Sequence, residues 1–352
     1  MSASPTNSQP DSRIRETFAQ LNFVTTSPGL IPLLRRAFKA ASVSDVTVLL
    51  EGETGTGKQV LARAIHQLDQ KRSQHPFVTV NCCAVAEGLV ESELFGHYRG
   101  AFTGAVSDRR GLFHAADRGT LFLDDVNDLP LHLQPKLLDV IQRGVVRSLG
   151  SDRETRVDVR IIAACNQALR PLVLQNRFRS DLYHRLNVIR LWLPPLRERP
   201  EDVGALVRAF ASRYHSLYGP IDSIEPELLR FLEAQPFGGN VRELENAVQR
   251  MLFGKIEGTA LGMADWAAQS ADEKAEERRD PLGEAAQSMW KAISQRGLSF
   301  SQALQQIEKK IIETALNAGG RTRREIARQL GTSERTLYHK IRAHHLSHRA
   351  EA

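Results

Sequence analysis

The run Gly52-Glu53-Thr54-Gly55-Thr56-Gly57-Lys58 sets three glycines before a lysine, between two segments of different period. Upstream, Val46-Thr47-Val48-Leu49-Leu50 is an apolar strand signal, and downstream, residues 59–66 carry apolar side chains at helical spacing. A glycine loop entering a helix N-terminus can turn its backbone N–H groups toward an anion, and the helix dipole favours negative charge there. Lys58 adds a point charge suited to the outer phosphates of a nucleoside triphosphate, so Gly52 through Val60 are the expected nucleotide contacts. Gln59 follows the lysine, where such loops more often carry Ser or Thr to touch Mg²⁺. Water is expected to replace that hydroxyl. An ordinary glycine turn is the alternative, and the lysine and both flanking elements argue against it.

Gly119-Thr120-Leu121-Phe122-Leu123-Asp124-Asp125 is an apolar strand ending in two acids. Asp124 is expected to hold Mg²⁺ through water, and Asp125 to polarise the attacking water. Such a pair could instead cap a helix, but the phosphate loop upstream favours catalysis. Residues 76–80 alternate and end at Asn81, which puts its amide at the nucleotide edge of a parallel sheet. Residues 157–165 form a further strand ending at Asn166, whose amide is expected to reach the γ-phosphate. Arg179 and Arg185 stand six apart in residues 178–187. They suit surface ion pairs, or, in a ring ATPase, a neighbour's γ-phosphate.

Stepping these groups into place requires an α/β domain, a parallel sheet with helices on both faces, over residues 22–195. Leu30, Ile31, Leu33, Leu34 and Phe38 suit one helix face ahead of the first strand, and residues 1–21 are expected to be a flexible lead. Leu193-Pro194-Pro195-Leu196-Arg197-Glu198-Arg199-Pro200 is a stiff connector. Helical patterns over 202–218, 227–234 and 240–252 then give a small helical lid spanning 196–268. Residues 269–300 read as a linker; within them 270–283 are strongly charged, and an exposed helix over 273–279 is the alternative. The last region, 301–349, predicts helices over 304–316, 323–330 and 334–343. Gly331 marks a sharp turn, Thr332 or Ser333 caps the third helix, and Ala327 and Gly331 are expected to keep a close helix crossing.

At 352 residues, 41% hydrophobic and 25% charged, the chain has the composition of a soluble protein of two or three domains. No apolar stretch approaches about 18 residues, so no membrane span is expected. Residues 1–13 lack the apolar core of a signal peptide. Cys82, Cys83 and Cys165 lie in apolar surroundings without metal-ligand spacing, which predicts buried, reduced thiols and a cytoplasmic location. Between Arg321 and Arg349, eight Arg or Lys face two acids, which accounts for the whole formal charge of +6. A basic excess confined to one helical segment points to nucleic acid, with a protein-binding three-helix module as the alternative.

Residues 91–105 are odd as plain structure: Gly96, Gly100 and Gly104 interrupt any helix, and Phe102 sits among small residues. A loop tipped by an aromatic suits contact with a partner. Here the chain resembles the AAA+ activators of sigma-54 RNA polymerase, the bacterial enhancer-binding proteins. Gly100-Ala101-Phe102-Thr103-Gly104-Ala105 reproduces that family's GAFTGA signature letter for letter, and Glu93-Leu94-Phe95-Gly96-His97 beside it also matches. The likeness runs from about Phe23 to Trp266 and resumes at the C-terminus, where the segment resembles a Fis-type DNA-binding domain.

The resemblance implies that Phe102 and Thr103 form the tip that grips the sigma factor, with 144–151 a second partner-facing loop. It implies that Asn81 holds the second acid in an inactive pose, that Arg179 and Arg185 are trans-acting fingers, and that Arg242 reaches the nucleotide from the lid. In the tail, Glu334, Arg335 and Thr336 would meet base edges, and Arg323, Arg324, Lys340 and Arg342 would bind phosphates of double-stranded DNA. Fis-type domains pair through their first helix, so Ile307, Ile311, Ile312 and Leu316 are candidates for a dimer seam. Asp125 replaces the usual glutamate, Cys165 a common threonine, Gln59 a glutamate, and Phe237-Gly238 a Trp-Pro pair; slow hydrolysis is expected.

The expected protein is an ATP- and Mg²⁺-dependent ATPase of dimers assembling into a hexameric ring, which moves its Phe102 loops against sigma-54 and opens the promoter complex. One rival is a DNA-binding regulator that keeps the frame and hydrolyses ATP poorly or not at all. The other is a remodeller with a different client, for which the tail has no evident use. No sensory domain is expected ahead of residue 22, which leaves control to expression level or to a separate activating or inhibiting protein.

Overall fold

Five strands, β1 (Val48–Glu51), β2 (Phe77–Asn81), β3 (Thr120–Asp124), β4 (Arg160–Cys165) and β5 (Ile189–Trp192), form a parallel sheet in the order β2-β3-β4-β1-β5. This is a computed structural model, and it describes residues 11–83, 87–255, 258–268, 286, 290–291, 293–294, 299–317, 322–344 and 346. Side chains alternate across the sheet. Leu49, Leu121, Leu123, Ile161 and Ala163 pack into one layer, and Val48, Leu50, Phe122, Ile162 and Ala164 into the other. A parallel sheet buried on both faces is why β1 and β4 are apolar almost throughout. In register, Asn81 stands opposite Asp124, so the two polar strand ends meet at one edge.

Helices α1 (Asp11–Gln20), α2 (Ile31–Ala41) and α3 (Lys58–Leu68) cover one face. On the other lie α4 (Glu87–Phe95), α5 (Gln134–Arg143) and α6 (Ser180–Leu186). The flexible lead expected over 1–21 is corrected from Asp11 onward. Ile14 and Phe18, one turn apart, are buried against α2, and Phe18 meets Phe23 edge to face at 6.3 Å. Two apolar residues in a polar stretch are a weak sequence signal, yet they suffice once a neighbouring helix supplies the other wall.

The lid consists of α7 (Glu201–Arg213), α8 (Pro226–Glu233) and α9 (Asn240–Gly254), closed around Val207, Phe210, Leu228, Leu232, Leu244, Val248 and Met251. Phe237 is buried in the same core. Polar contacts fasten the lid to the sheet domain. Asp202 is fully buried and accepts from the Thr25 hydroxyl at 2.8 Å, the Thr26 N–H at 2.6 Å and the Ser27 N–H at 2.8 Å. It also pairs with buried Arg199, whose guanidinium donates to Thr56 O at 2.8 Å. Asp202→Ala strands that cation and three donors, so it is expected to lower stability by about 3–5 kcal/mol, measured by denaturant unfolding.

A separate compact unit follows residue 270. Of the linker expected over 269–300, residues 269–285 lie outside the described residues, whereas residues 290–291 and 293–294 are helical. Within the unit, α10 (Phe300–Asn317), α11 (Arg323–Gln329) and α12 (Glu334–Ala343) enclose Ile312, Ile326, Ala327 and Leu337. Thr322 and Glu325 form a capping box on α11, and Ser333, one of the two predicted caps, accepts from the Thr336 N–H at 3.1 Å. Ala327 is buried at the crossing as expected, but Gly331 acts differently. A Cβ there would meet nothing within 4 Å, and what the turn requires is its φ of +64°. Ile312 is also corrected: it is 3% exposed in this unit's own core, whereas Ile311 is half exposed and stays available for a seam.

Candidate active site

Gly57, at φ +104°, turns the chain from the loop into α3, and Lys58 opens that helix. The Lys58 ammonium donates to Gly52 O at 2.7 Å and Glu53 O at 3.0 Å, which holds it within the loop's curve. It shares one cleft with Thr54, Gly55, Gly57, Gln59, Val60, Asn81, Asp124 and Asp125, and with Val241, Arg242 and Glu245 from α9. Burial holds the lysine below its ordinary range, and the charges of Asp124 and Asp125 oppose that. Asp124 lies above the usual carboxylate range, first through burial and then through Asp125, with Lys58 opposing.

Asp125 takes φ 51°, ψ 46°, a left-handed conformation that aspartate tolerates, and so leaves the strand direction. Its Oδ2 accepts from Asn81 Nδ2 at 3.2 Å, while Asn81 Oδ1 accepts from the Cys83 N–H at 2.8 Å. The second acid is therefore tied to the end of β2. Among the described residues no group of three or more His, Cys, Asp or Glu could hold a metal by itself. Two carboxylates beside one lysine at a buried edge do fit a divalent cation that arrives with phosphate oxygens as its other ligands.

The loop is pressed against the lid. The Val241 and Arg242 N–H groups donate to Gly55 O at 3.0 and 3.3 Å, and a Cβ on Gly55 would lie 2.1 Å from Gly239 O. Only glycine permits that approach. Asn240 Nδ2 donates to Thr54 O at 3.0 Å and to Glu53 at 3.2 Å. Glu53, expected as a nucleotide contact, instead forms a two-pronged pair with Arg197 at 2.6 and 2.8 Å. That pair, with Asn240, holds its carboxyl down at about 2.

Other expected residues separate from the cleft. Asn166 lines a neighbouring groove with Glu51, Gly52 and Trp192, and its N–H reaches Asn127 Oδ1 at 3.4 Å. Cys165 is buried in the sheet, with burial pushing its thiol up to about 12. It does not line the cleft; Cys82 is buried as well, whereas Cys83 is exposed, against the expectation that all three thiols are buried. Arg179 and Arg185 are exposed at opposite ends of α6, away from the lining of their own chain's cleft. Arg179 is paired with Asp181 at 2.8 and 3.0 Å. Sequence reasoning missed Arg197, Arg199, Asp202 and Glu245; the three charges in the connector and the acid one turn beyond Val241 were the available signals.

Gly100–Ala105 closes on itself through Gly100 N–H to Ala105 O at 2.9 Å and Ala105 N–H to Phe102 O at 3.0 Å. Phe102 is half-buried and meets His97 edge to face at 5.0 Å. The Tyr98 N–H donates to Leu149 O at 3.0 Å, and Gly150 packs on Ala101, so the two loops form one body. In the tail, Arg323, Glu334, Arg335, Thr336 and Arg342 are exposed, and Arg324 lies 3.7 Å from Glu334. Lys340, expected on phosphate, is paired instead with Glu308 of α10, which His344 also meets at 3.2 Å.

The Sigma-54 interaction domain matches residues 24–192, the AAA+ ATPase lid domain residues 197–281, and the Fis-family bacterial regulatory domain residues 303–344. Regulatory protein AtoC of Escherichia coli is 38% identical over 321 residues, 91% of this chain and 67% of AtoC. The chain belongs to the bacterial enhancer-binding proteins, the AAA+ activators of sigma-54 RNA polymerase. Another member similar to it is the DNA-binding transcriptional activator HyfR of Escherichia coli, 54% identical over 211 residues, which are 60% of this chain and 31% of HyfR. This enhancer-binding protein thus spans about a third of that relative's length. NtrX of Brucella abortus, solved with ADP, superposes with a TM-score of 0.64 at 28% identity, over 95% of this chain and 71% of NtrX. Among the described residues of this family member, no helix is long and apolar enough to cross a membrane.

Proposed function

We propose that this enhancer-binding protein hydrolyses ATP at a subunit boundary and uses the change to drive its Phe102 loops against sigma-54, so that RNA polymerase opens the promoter. Lys58 and the loop N–H groups hold the β- and γ-phosphates, and Arg242 reaches them from the lid. Asp125 orients a water whose oxygen bonds to the γ-phosphorus as the bond to the β-phosphate oxygen breaks; the water's proton is released by way of the Asp125 carboxylate. Asp124 would hold Mg²⁺, which would supply neutralisation of charge on the phosphate oxygens. Arg179 and Arg185 are assigned to the neighbouring subunit's site in a hexameric ring in the cytoplasm. Arg323, Arg324 and Arg342 contact DNA phosphates, Glu334, Arg335 and Thr336 face the major groove, and exposed Leu304 and Ile311 of α10 suit pairing with a second copy.

The observation that carries the reading is the 3.2 Å bond from Asn81 to Asp125. It links the acid that must face water to the strand end from which the chain leads, through α4, into the loop. The test is open-complex formation at a sigma-54 promoter with ATP, run beside a Lys58→Ala control. Opening that proceeds equally with the control would sink the proposal.

Asp125 is one methylene shorter than glutamate, so its carboxylate stands back from the γ-phosphate, and hydrolysis is proposed to be slow. Asp125→Glu is expected to raise kcat severalfold with little change in KM, because reach rather than binding is altered. Phosphate release measured at a ring-forming protein concentration would check this.

A further inference from the structure

Glu245 has no assigned role, yet it lines the same cleft as Lys58, Asp124 and Arg242. It lies on α9 four residues beyond Val241, hence on the same face and about 6 Å further along the axis. Val241 itself touches the phosphate loop through Gly55 O. A carboxylate on the wall of a phosphate site repels the phosphates, so it is tolerated there only if it meets hydrogen-bond donors.

Two donors come from its own chain, and both go to the same atom. Arg213 Nη1 and the Tyr214 hydroxyl each donate to Glu245 Oε1 at 2.8 Å. No described residue donates to Oε2. The carboxylate is thus held through one oxygen by Arg213 and Tyr214, and among the described residues the other carries no donor. Its side chain is 28% exposed, partly withdrawn from water, which strengthens any bond it makes.

A nucleoside triphosphate offers few donors. Its phosphates and ring nitrogens accept; its donors are the ribose hydroxyls and the amino group of adenine. The sugar adjoins the phosphates, and Glu245 is less than one turn from Arg242, so the sugar is the nearer donor. We infer that Glu245 accepts a hydrogen bond from a ribose hydroxyl and makes this site selective for ribonucleoside over deoxyribonucleoside triphosphates. The inference rests on the ATP reading above.

The test is equilibrium titration calorimetry of the full chain with ATP, 2′-deoxyATP, 3′-deoxyATP and ITP, for the native protein and for Glu245→Ala and Glu245→Gln. The native protein is expected to favour ATP over one of the deoxy forms by about tenfold or more, the effect of one hydrogen bond to a charged acceptor. Glu245→Ala brings that ratio close to one while leaving ITP relative to ATP unchanged. Glu245→Gln, which keeps shape and a neutral acceptor, falls between and carries the test should the alanine variant not fold. A native ratio near one, or a ratio that survives both variants, overturns the assignment. So does an equal loss of all four ligands, which would make Glu245 only an anchor for Arg213 and Tyr214. So does a change confined to ITP, which would place the base amine at Oε2. If the native chain binds none of the four, the ATP reading itself fails, an outcome distinct from these.

Discussion

Phe102→Ala is expected to abolish sigma-54-dependent promoter opening while ATP hydrolysis stays within about twofold of the native rate. The structure separates the two activities in space. The Phe102 ring touches His97 and is otherwise carried on a loop closed by its own backbone bonds, Gly100 to Ala105 and Ala105 to Phe102. Phe102 is not among the residues that line the cleft of Lys58, Asp124, Asp125 and Arg242. Truncating the ring removes apolar contact area without touching the backbone that shapes the loop, and a large aromatic is the side chain expected to dominate a small contact. Parallel assays of phosphate release and open-complex formation would distinguish the outcomes. Loss of both together would mean that the ring supports the fold of the paired loops.

Legibility of this chain in its sequence divides by distance along the chain. β1, the loop from Gly52 to Lys58 and α3 are consecutive, and each confirms the period of the next, so they can be read together. The end of β3 was legible for the same reason: an apolar run that stops in Asp124-Asp125 needs no remote information. Parallel topology puts Asn81 at the nucleotide edge, in register with Asp124, whereas its bond to Asp125 is what the family resemblance implies.

What was not legible joins residues far apart. Glu53 looks like a loop residue facing phosphate until Arg197, 144 positions later, is seen to hold it. Asp202 reads as a helix-start acid, a fair local inference, yet its partners are Thr25, Thr26 and Ser27 at the other end of the domain. Lys340, placed on DNA phosphate by the family resemblance, pairs with Glu308 on α10. Ile311 and Ile312 are adjacent and equally apolar, so periodicity alone could not say which faces the core. Charge and hydrophobicity identify the groups that need partners, whereas only the fold says which partners they get.

Arg185→Ala is expected to lower ATP turnover about a thousandfold while nucleotide affinity changes little, the effect of losing a cation that acts on transition-state charge. Its placement supports the assignment: Arg185 is exposed at the end of α6 and does not line its own chain's cleft, so any phosphate it serves belongs to a neighbour. Arg179→Ala should fall less far, because Arg179 must first leave Asp181, whose two carboxylate oxygens hold the Nε–Nη2 edge of its guanidinium. Mixed rings decide whether the action is in trans. An Arg185→Ala chain has a sound cleft and no finger, whereas a Lys58→Ala chain has a finger and no working cleft. Where the lysine variant's finger meets the arginine variant's cleft, one competent site is restored, so mixing two inactive proteins should recover turnover in proportion to such junctions. Titrating one variant into the other and measuring phosphate release gives a curve that peaks at an intermediate ratio if the finger crosses the subunit boundary. A flat line at the level of either variant alone would mean that Arg185 acts within its own chain or only holds α6 in place.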